Sequence, residues 1–386
     1  MVRKQPILIV GAGLAGCLMA LELAQLGYRV VVYEKRLADG DSLAPRRSIN
    51  LALAPATLQL LNKSAKLGNQ LKAITTPLRG RVFHPIVGNP VFEPYARTES
   101  EATLLNPVAG AVSVSRAELN ALLRSAASQH SSIEFRFGQK VVGCDPKQAA
   151  IEIADSSRRT FRVEGEIVIG ADGANSVIRR AMTLNGSCPA RENRATLKHG
   201  YKELALAPTP ARGMRKCALH IWPRSGFLMM ALPNRDGTFQ GGVFLRQDGQ
   251  QAFSNLESEA AVRDFFEENF KDVAPHILDL EGQFARNPVN SVDAVQCDPW
   301  SMGRTILIGD ACHTLYPFSG HGANLALSDC LQLSQCIQMH APDWQRAFSS
   351  FTDLRKPQID SLCSADRVVS ALVLNALPQN GIRGFV

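Results

Sequence analysis

Cysteine occurs nine times in 386 residues but never as a C-x-x-C pair, and positions 17, 144, 188, 217, 297, 312, 330, 336 and 363 follow no regular spacing. That argues against a zinc site and a disulfide framework, and predicts reduced thiols in a reducing compartment. Long apolar runs are missing too, since no stretch reaches the roughly 20 residues that cross a bilayer. The apolar segment 368–377 is short and meets Pro378. The early apolar residues 7–10 run straight into Gly11, Gly13 and Gly16, which a signal-peptide hydrophobic region does not tolerate well. There is no run of like charge. Lys and Arg number 42 against 35 Asp and Glu, a net charge of +7. The basic residues are scattered, which fits attraction of a phosphorylated cofactor better than a nucleic-acid partner. Repeats and low-complexity stretches are absent. What remains, 45% hydrophobic and 20% charged, is an ordinary globular chain long enough for two or three domains.

What is present is a set of strand-ending turns. Residues 7–10 form a continuous apolar run suited to a buried parallel strand, residues 14–26 have helical periodicity closed by Gly27, and residues 28–33 read as a second strand ending at Glu34. The turn between them is Gly11-Ala12-Gly13-Leu14-Ala15-Gly16. Gly11 permits the tight turn, Gly13 lets the backbone approach a pyrophosphate, and Gly16 lets helix and strand pack closely. Glu34 stands where a carboxylate accepts ribose hydroxyls. Such glycines also occur in ordinary turns, so the order strand, helix, strand, acid carries the specificity. Two later strands end similarly: residues 167–169 lead into Asp172-Gly173, and residues 305–308 lead into Gly309-Asp310, followed by Pro317, Gly320, Gly322 and Asn324. Doubly wound sheets bind ligands at such strand ends. Helices are expected at 116–127, 258–270, 276–283 and from 324 onward, and β-like alternation over 198–245.

These three landmarks resemble those of the class A flavoprotein aromatic hydroxylases, the p-hydroxybenzoate hydroxylase fold, over nearly the whole chain. Finer segments resemble the kynurenine 3-monooxygenase family: residues 46–53 (RRSINLAL), Arg79-Gly80-Arg81, Pro94-Tyr95, residues 199–204 (HGYKEL) and residues 219–224 (LHIWPR). The resemblance implies an α/β fold: a doubly wound, Rossmann-like FAD domain from residues 1–75, 98–180 and 286–350, an inserted mostly β substrate domain from 76–97 and 181–285, and a C-terminal helical segment, 351–386. It implies FAD as cofactor and NADPH as transient reductant. Oxygen then forms a C4a-hydroperoxide that hydroxylates L-kynurenine to 3-hydroxykynurenine. A small aromatic amino-acid-like substrate and O2 are the partners, and the chain is expected to be a cytoplasmic monomer or homodimer, membrane-associated if a C-terminal anchor has been removed.

By the same resemblance Arg81 and Tyr95 hold the substrate carboxylate, which suits a guanidinium fork and a phenol donor; Arg79 is the alternative to Arg81. Phe239 and Phe318 are expected at the substrate, within an apolar wall drawn from Phe227, Leu228, Met230 and Pro317. FAD contacts are expected from Gly11, Gly13, Leu14, Ala15, Gly16, Glu34, Lys35, Arg36, Arg47 (or its neighbour Arg46), Leu53, Arg116, Asp172, Gly173, Asp310, Pro317, Gly320, Gly322, Ala323 and Asn324. No acid–base residue is nominated, because the amino group of the ring supplies electron density; His220 and His313 are taken as structural. The chain departs from the family pattern at His321, where Gln is usual, at Ala323, where Met is frequent, and at Val369-Ser370, where an Asn-Tyr pair is usual. A hydroxylase of another aminoaryl or indole-derived substrate, or a flavin-dependent reductase, is the alternative reading.

Overall fold

The strand Ile7–Val10 has no polar alternation because both its faces are covered; its residues are at most 5% exposed. It lies inside a six-stranded sheet ordered Ser301–Met302, Thr305–Leu307, Val168–Gly170, Ile7–Val10, Val30–Glu34, Ile133–Phe137. All neighbours pair in parallel except the short hairpin at the Ser301 edge. The computed structural model describes residues 5–38, 49–96, 110–154, 159–185, 191–208 and 213–375. The helix Leu14–Gln25 crosses from the first strand to the second and is buried along nearly its whole length. The helix Arg116–Ser128 is capped by the Ser115 hydroxyl, which accepts the Glu118 N–H at 3.4 Å, a cap contributing about 1 kcal/mol.

The second large sheet has eight strands, and its strands come from distant parts of the chain. Gly80–Phe83 and Val91–Pro94 join the edge of a row built by Ala218–Arg224, Phe227–Pro233, Phe239–Arg246, the 16-residue strand Arg191–Leu206, Asn290–Asp298 and the short His313–Thr314. Its two faces have separate duties. Trp222, Phe227, Met229, Phe239, Val243 and Leu245 pack on Phe265, Phe266 and Phe284 of the helices Glu259–Asn269 and Leu280–Arg286. The alternate residues Leu219, Ile221, Leu228, Met230 and Phe244 face a cavity between this sheet and the parallel one. Both sequence-expected features, the doubly wound α/β part and the mostly β part, are present, together with a C-terminal helix, Trp344–Asn375.

One helix is displaced from expectation. Residues 276–283 are not a single helix: Ile277 makes a β-bridge with Leu206, the Leu278 N–H bonds the Ala205 carbonyl at 3.0 Å, and the helix begins only at Leu280. Pairing with the long strand holds this stretch extended, and Asp279, in the left-handed region at φ 43°, turns the chain into the helix. No helix among the described residues is long and apolar enough to cross a membrane.

A buried charge cluster ties the C-terminal helix to the strand ends. Arg355 donates to Asp329 Oδ1 through Nε (3.0 Å) and Nη2 (2.8 Å), while Asp329 Oδ2 accepts from His313 Nε2 (2.6 Å) and the Gly309 N–H (3.0 Å). Burial pushes the Asp329 carboxyl up, but His313 and Arg355 more than offset this and hold it below the ordinary range. Removing one partner of such a pair costs about 3–5 kcal/mol. His313 therefore does structural work beside the Gly309-Asp310 turn, off the cavity wall.

Candidate active site

Three turns meet at the C-terminal ends of the parallel strands. Gly11 has φ +104°, and a Cβ there would stand 2.5 Å from the Ala171 carbonyl oxygen and 3.0 Å from the Asp172 Cα. A Cβ on Gly309 would stand 2.9 Å from that of Ala326 and 3.6 Å from that of Ala15. The glycine loop, the Asp172-Gly173 turn and the Gly309-Asp310 turn are thus packed together, as their order along the chain suggested. Asp172 is spent locally: Oδ2 accepts the Val177 N–H at 2.7 Å at the start of the helix Val177–Asn185. Burial pushes its carboxyl up, against the pull of Ser176 and the helix amides. Arg179, which the motifs did not single out, locks the same corner by donating to the Ala311 and Ala174 carbonyls at 2.7 and 2.6 Å and to Glu192 at 3.1 Å.

From this corner a cavity of about 720 Å3 runs across the inner face of the eight-stranded sheet, within the size range of ligand pockets. Gly13, Leu14, Ala15, Arg116, Gly173, Asp310, Pro317, Gly320, Gly322 and Ala323 lie on its wall, and so do Arg81, Tyr95 and Phe318. A Cβ at Gly13 would meet nothing within 4 Å, and the helix Leu14–Gln25 has no side-chain cap. Its first-turn N–H groups and positive dipole end therefore face the cavity, a cradle that fits a pyrophosphate and hence the diphosphate of FAD. The helix Gly322–His340 likewise starts on the wall without a side-chain cap.

Several expected contacts lie elsewhere. Glu34 sits off the wall: Oε2 accepts the Ala12 N–H at 2.9 Å and Oε1 the Arg36 N–H at 3.0 Å, so the carboxylate braces the glycine loop. Lys35 and Arg36 are exposed just past the strand end, and Gly11 and Gly16 lie behind the wall. Leu53 is fully buried in the main core. Asn324 accepts from the Ala54 N–H (2.9 Å) and the Thr57 hydroxyl (2.7 Å) and donates to the Ala52 and Gly320 carbonyls, so its amide staples two segments instead of reaching the cavity. Phe239 is a correction: its strand turns Gln240, Gly242 and Phe244 to the cavity, so Phe239 faces the opposite side, 1% exposed and edge-on to His220. Phe227 lies on that far face for the same reason. Arg46 and Arg47 fall outside the described residues.

The Arg81–Tyr95 end is set by strand alternation. Arg81 and Phe83 point to the cavity, and Arg79, exposed, does not line it. Arg81 Nε donates to Glu93 Oε2 at 3.1 Å, and its guanidinium lies 5.3 Å from the centre of the Phe83 ring. Tyr95 is buried, which pushes its phenol up to about 12, with Arg81 pulling the other way. Behind this strand, off the cavity, the His84–His220 pair (2.8 Å) connects Asp272 (3.3 Å from His84) to the Arg215 backbone. Sequence reasoning missed Tyr201, Asn50 and Gln240 on the wall; strand periodicity through Phe244 and Tyr201 was the available signal. Burial and Glu203 push the Tyr201 phenol up, and Arg116 eases it down.

A parallel sheet whose strand ends carry a glycine cradle, abutting a mixed sheet across one cavity, defines an FAD-binding flavoprotein of the two-sheet type. Residues 4–347 match the FAD binding domain family. The chain is 36% identical to kynurenine 3-monooxygenase of Myxococcus xanthus over 376 residues, covering 96% of this chain and 78% of that protein. It is also 36% identical to kynurenine 3-monooxygenase of Dictyostelium discoideum over 338 residues, 87% and 70% of the two chains. On that identity and coverage, the protein belongs to the kynurenine 3-monooxygenase family. Among solved structures, the tetrameric form of 2-methyl-3-hydroxypyridine-5-carboxylic acid oxygenase shares the fold with a TM-score of 0.74 at 18% identity, covering 97% of this chain and 94% of that one. The tetracycline destructase Tet(51) does so with a TM-score of 0.67 at 19% identity, covering 97% and 92%.

Proposed function

We propose that this protein is an FAD-dependent aromatic hydroxylase that uses NADPH and oxygen to convert L-kynurenine into 3-hydroxykynurenine. The observation that carries the reading is a single cavity bearing the glycine cradle, the Asp310 strand end and the Arg81–Tyr95 pair together. Bound FAD supplies the two-electron chemistry with NADPH and the activation of oxygen. Gly13, Leu14 and Ala15 would hold its pyrophosphate, Asp310 a hydroxyl of its linker, and the exposed Lys35 and Arg36 the adenosine end, with Glu34 bracing the glycine loop behind them. Gly320, Gly322 and Ala323 would present a helix start to the flavin edge where negative charge builds on reduction. Arg81 and Tyr95 would take the substrate carboxylate, a charge-assisted pair of donors. Leu228, Met230, Phe244 and Phe318 would exclude water around the reacting ring.

The test is direct. Purified protein with FAD and NADPH should oxidise NADPH faster when L-kynurenine is added, and the product should carry one added oxygen. An NADPH oxidation rate indifferent to L-kynurenine would refute the substrate. A second reading, hydroxylation of another aminoaryl acid, is favoured by Val369 and Val373, which put aliphatic side chains on the wall from the C-terminal helix.

A further inference from the structure

The C-terminal helix presents a stripe of four residues, Asp366, Val369, Ser370 and Val373, at the i, i+3, i+4, i+7 spacing of one helical face. Val369 and Val373 line the cavity, so this face is turned toward it. The two polar members are buried behind the valines, with Asp366 1% exposed and Ser370 0%. Opposite them is the 3-10 turn Pro317–Ser319, whose Ser319 is on the cavity wall. Asp366 Oδ2 accepts the Tyr316 N–H at 2.8 Å. Its other oxygen, the Ser319 hydroxyl and the Ser370 hydroxyl are buried without a hydrogen-bond partner of normal geometry among the described residues. Burial pushes the Asp366 carboxyl up, while the Ser319 hydroxyl, the Tyr316 amide and the His321 ring pull it down. Arg367, next in sequence, is directed elsewhere, donating to Gln296 at 2.8 Å.

The Ser319 hydroxyl, on a wall otherwise made of Val369, Val373 and Phe318, has the Asp366 carboxylate as the acceptor for its own proton, which leaves its lone pairs in want of a donor. A serine hydroxyl that turns its proton to a carboxylate keeps its lone pairs for an incoming N–H and becomes the better acceptor for it. We propose that Ser319, backed by Asp366, accepts an N–H of the ring amine of the substrate, and that this pair selects arylamines over the same acids lacking that amine. This rests on the reading of the cavity as an aminoaryl-acid site. It deepens that reading by giving the ring amine its own partner, distinct from the carboxylate partners Arg81 and Tyr95.

The experiment compares L-kynurenine with its analogue in which the ring amine is replaced by hydrogen, 3-benzoylalanine. Both are titrated into the FAD-loaded protein, and the change in flavin absorbance gives each Kd. The wild-type protein should favour L-kynurenine by about tenfold, one well-made buried hydrogen bond. Ser319→Ala and Asp366→Asn should each bring the ratio to within about threefold of one, while the Kd of the benzoyl analogue stays near its wild-type value. That second number is the control for folding, since a damaged cavity would weaken both ligands together. A wild-type preference that survives in both variants overturns the assignment, as does a wild-type protein that binds the two ligands equally. If neither ligand perturbs the wild-type flavin, the kynurenine reading itself fails and takes this assignment with it.

Discussion

Gly13 and Gly16 sit three residues apart in one turn, yet the structure assigns them opposite reasons for being glycine. At Gly13 the backbone is in the extended region, φ −76° and ψ −172°, open to any L-residue, and an added Cβ meets nothing within 4 Å. At Gly16 an added Cβ collides with the carbonyl oxygen of Gly11 and stands 3.0 Å from its carbon. Gly13→Ala should therefore leave the cofactor-free protein within about 1 kcal/mol of wild type: the poorer N-cap is offset by the reduced freedom of the unfolded chain. Gly16→Ala gains about 1 kcal/mol in helix propensity but forces a strand and a helix apart. Overpacking costs about 1–3 kcal/mol or more where neither backbone can yield.

The cofactor reverses the ranking of the two sites. If the diphosphate rests against the Gly13 backbone, a methyl there displaces at least one charge-assisted hydrogen bond, about 1.5–3 kcal/mol, or about 10- to 150-fold in affinity. At an FAD concentration 1,000-fold above the wild-type Kd, binding stabilises by about 4.1 kcal/mol; a hundredfold weaker Kd leaves about 1.4 kcal/mol. The assay is thermal unfolding of both variants with and without FAD, paired with an FAD fluorescence titration. Gly13→Ala should melt like wild type without FAD and gain little from it. Gly16→Ala should melt lower in both states. A Gly13→Ala protein that binds FAD with wild-type Kd, or that melts as low as Gly16→Ala without it, would refute the argument.

Arg81→Ala should raise the KM for L-kynurenine by about 10- to 100-fold with a smaller change in kcat, because a carboxylate loses a charged partner and Glu93 is left beside it. Arg81→Lys keeps the charge without the fork and should recover only part of the loss, and an unchanged KM in the alanine variant rejects the assignment. For His220, burial lowers the folded-state value to about 4 from an unfolded 6.5, against the hydrogen bond to the Arg215 backbone and with the charges of His84 and Arg215 pushing the same way as burial. The unfolded chain therefore binds the proton first, so stability is intact above about pH 6.5 and falls as the pH drops toward 4, by up to about 3 kcal/mol. Urea unfolding from pH 7 to 4 should show that slope, and His220→Gln should flatten it; equal slopes in the two proteins would rule the histidine out as its source.

How much of this was legible beforehand depends on what each residue answers to. The glycine loop and the two later turns could be read because their constraints are local: Gly11 has a positive φ, and its neighbour across the turn, Ala171, leaves no room for a side chain. Phe239 was misassigned because both faces of its sheet are apolar. Leu228, Met230 and Phe244 look into the cavity while Phe227, Met229 and Val243 look into the core. Composition gives the period of such a strand but not its phase, and a phase error of one residue sends every side chain to the wrong side. Arg79 and Arg81, two residues apart, share one strand parity, so alternation could not choose between them; Arg79 precedes the strand Gly80–Phe83 and is exposed, whereas Arg81 lines the cavity. Glu34 and Asn324 mark a different boundary. Their residue types were read correctly as hydrogen-bonding groups at strand ends, but their partners, Ala12 for one and Ala54 with Thr57 for the other, are set by how segments 22 and up to 270 residues apart come together. Asp366 is the extreme case. A lone acid in an amphipathic helix reads as a solvated residue, and only the contact of that helix with the Tyr316–Ser319 turn shows that it points inward. The backbone demands of a cofactor cradle are therefore written in short motifs. Which side chains reach the cavity is written in the packing of one face of an element against another, as Val369 and Val373 show on the C-terminal helix.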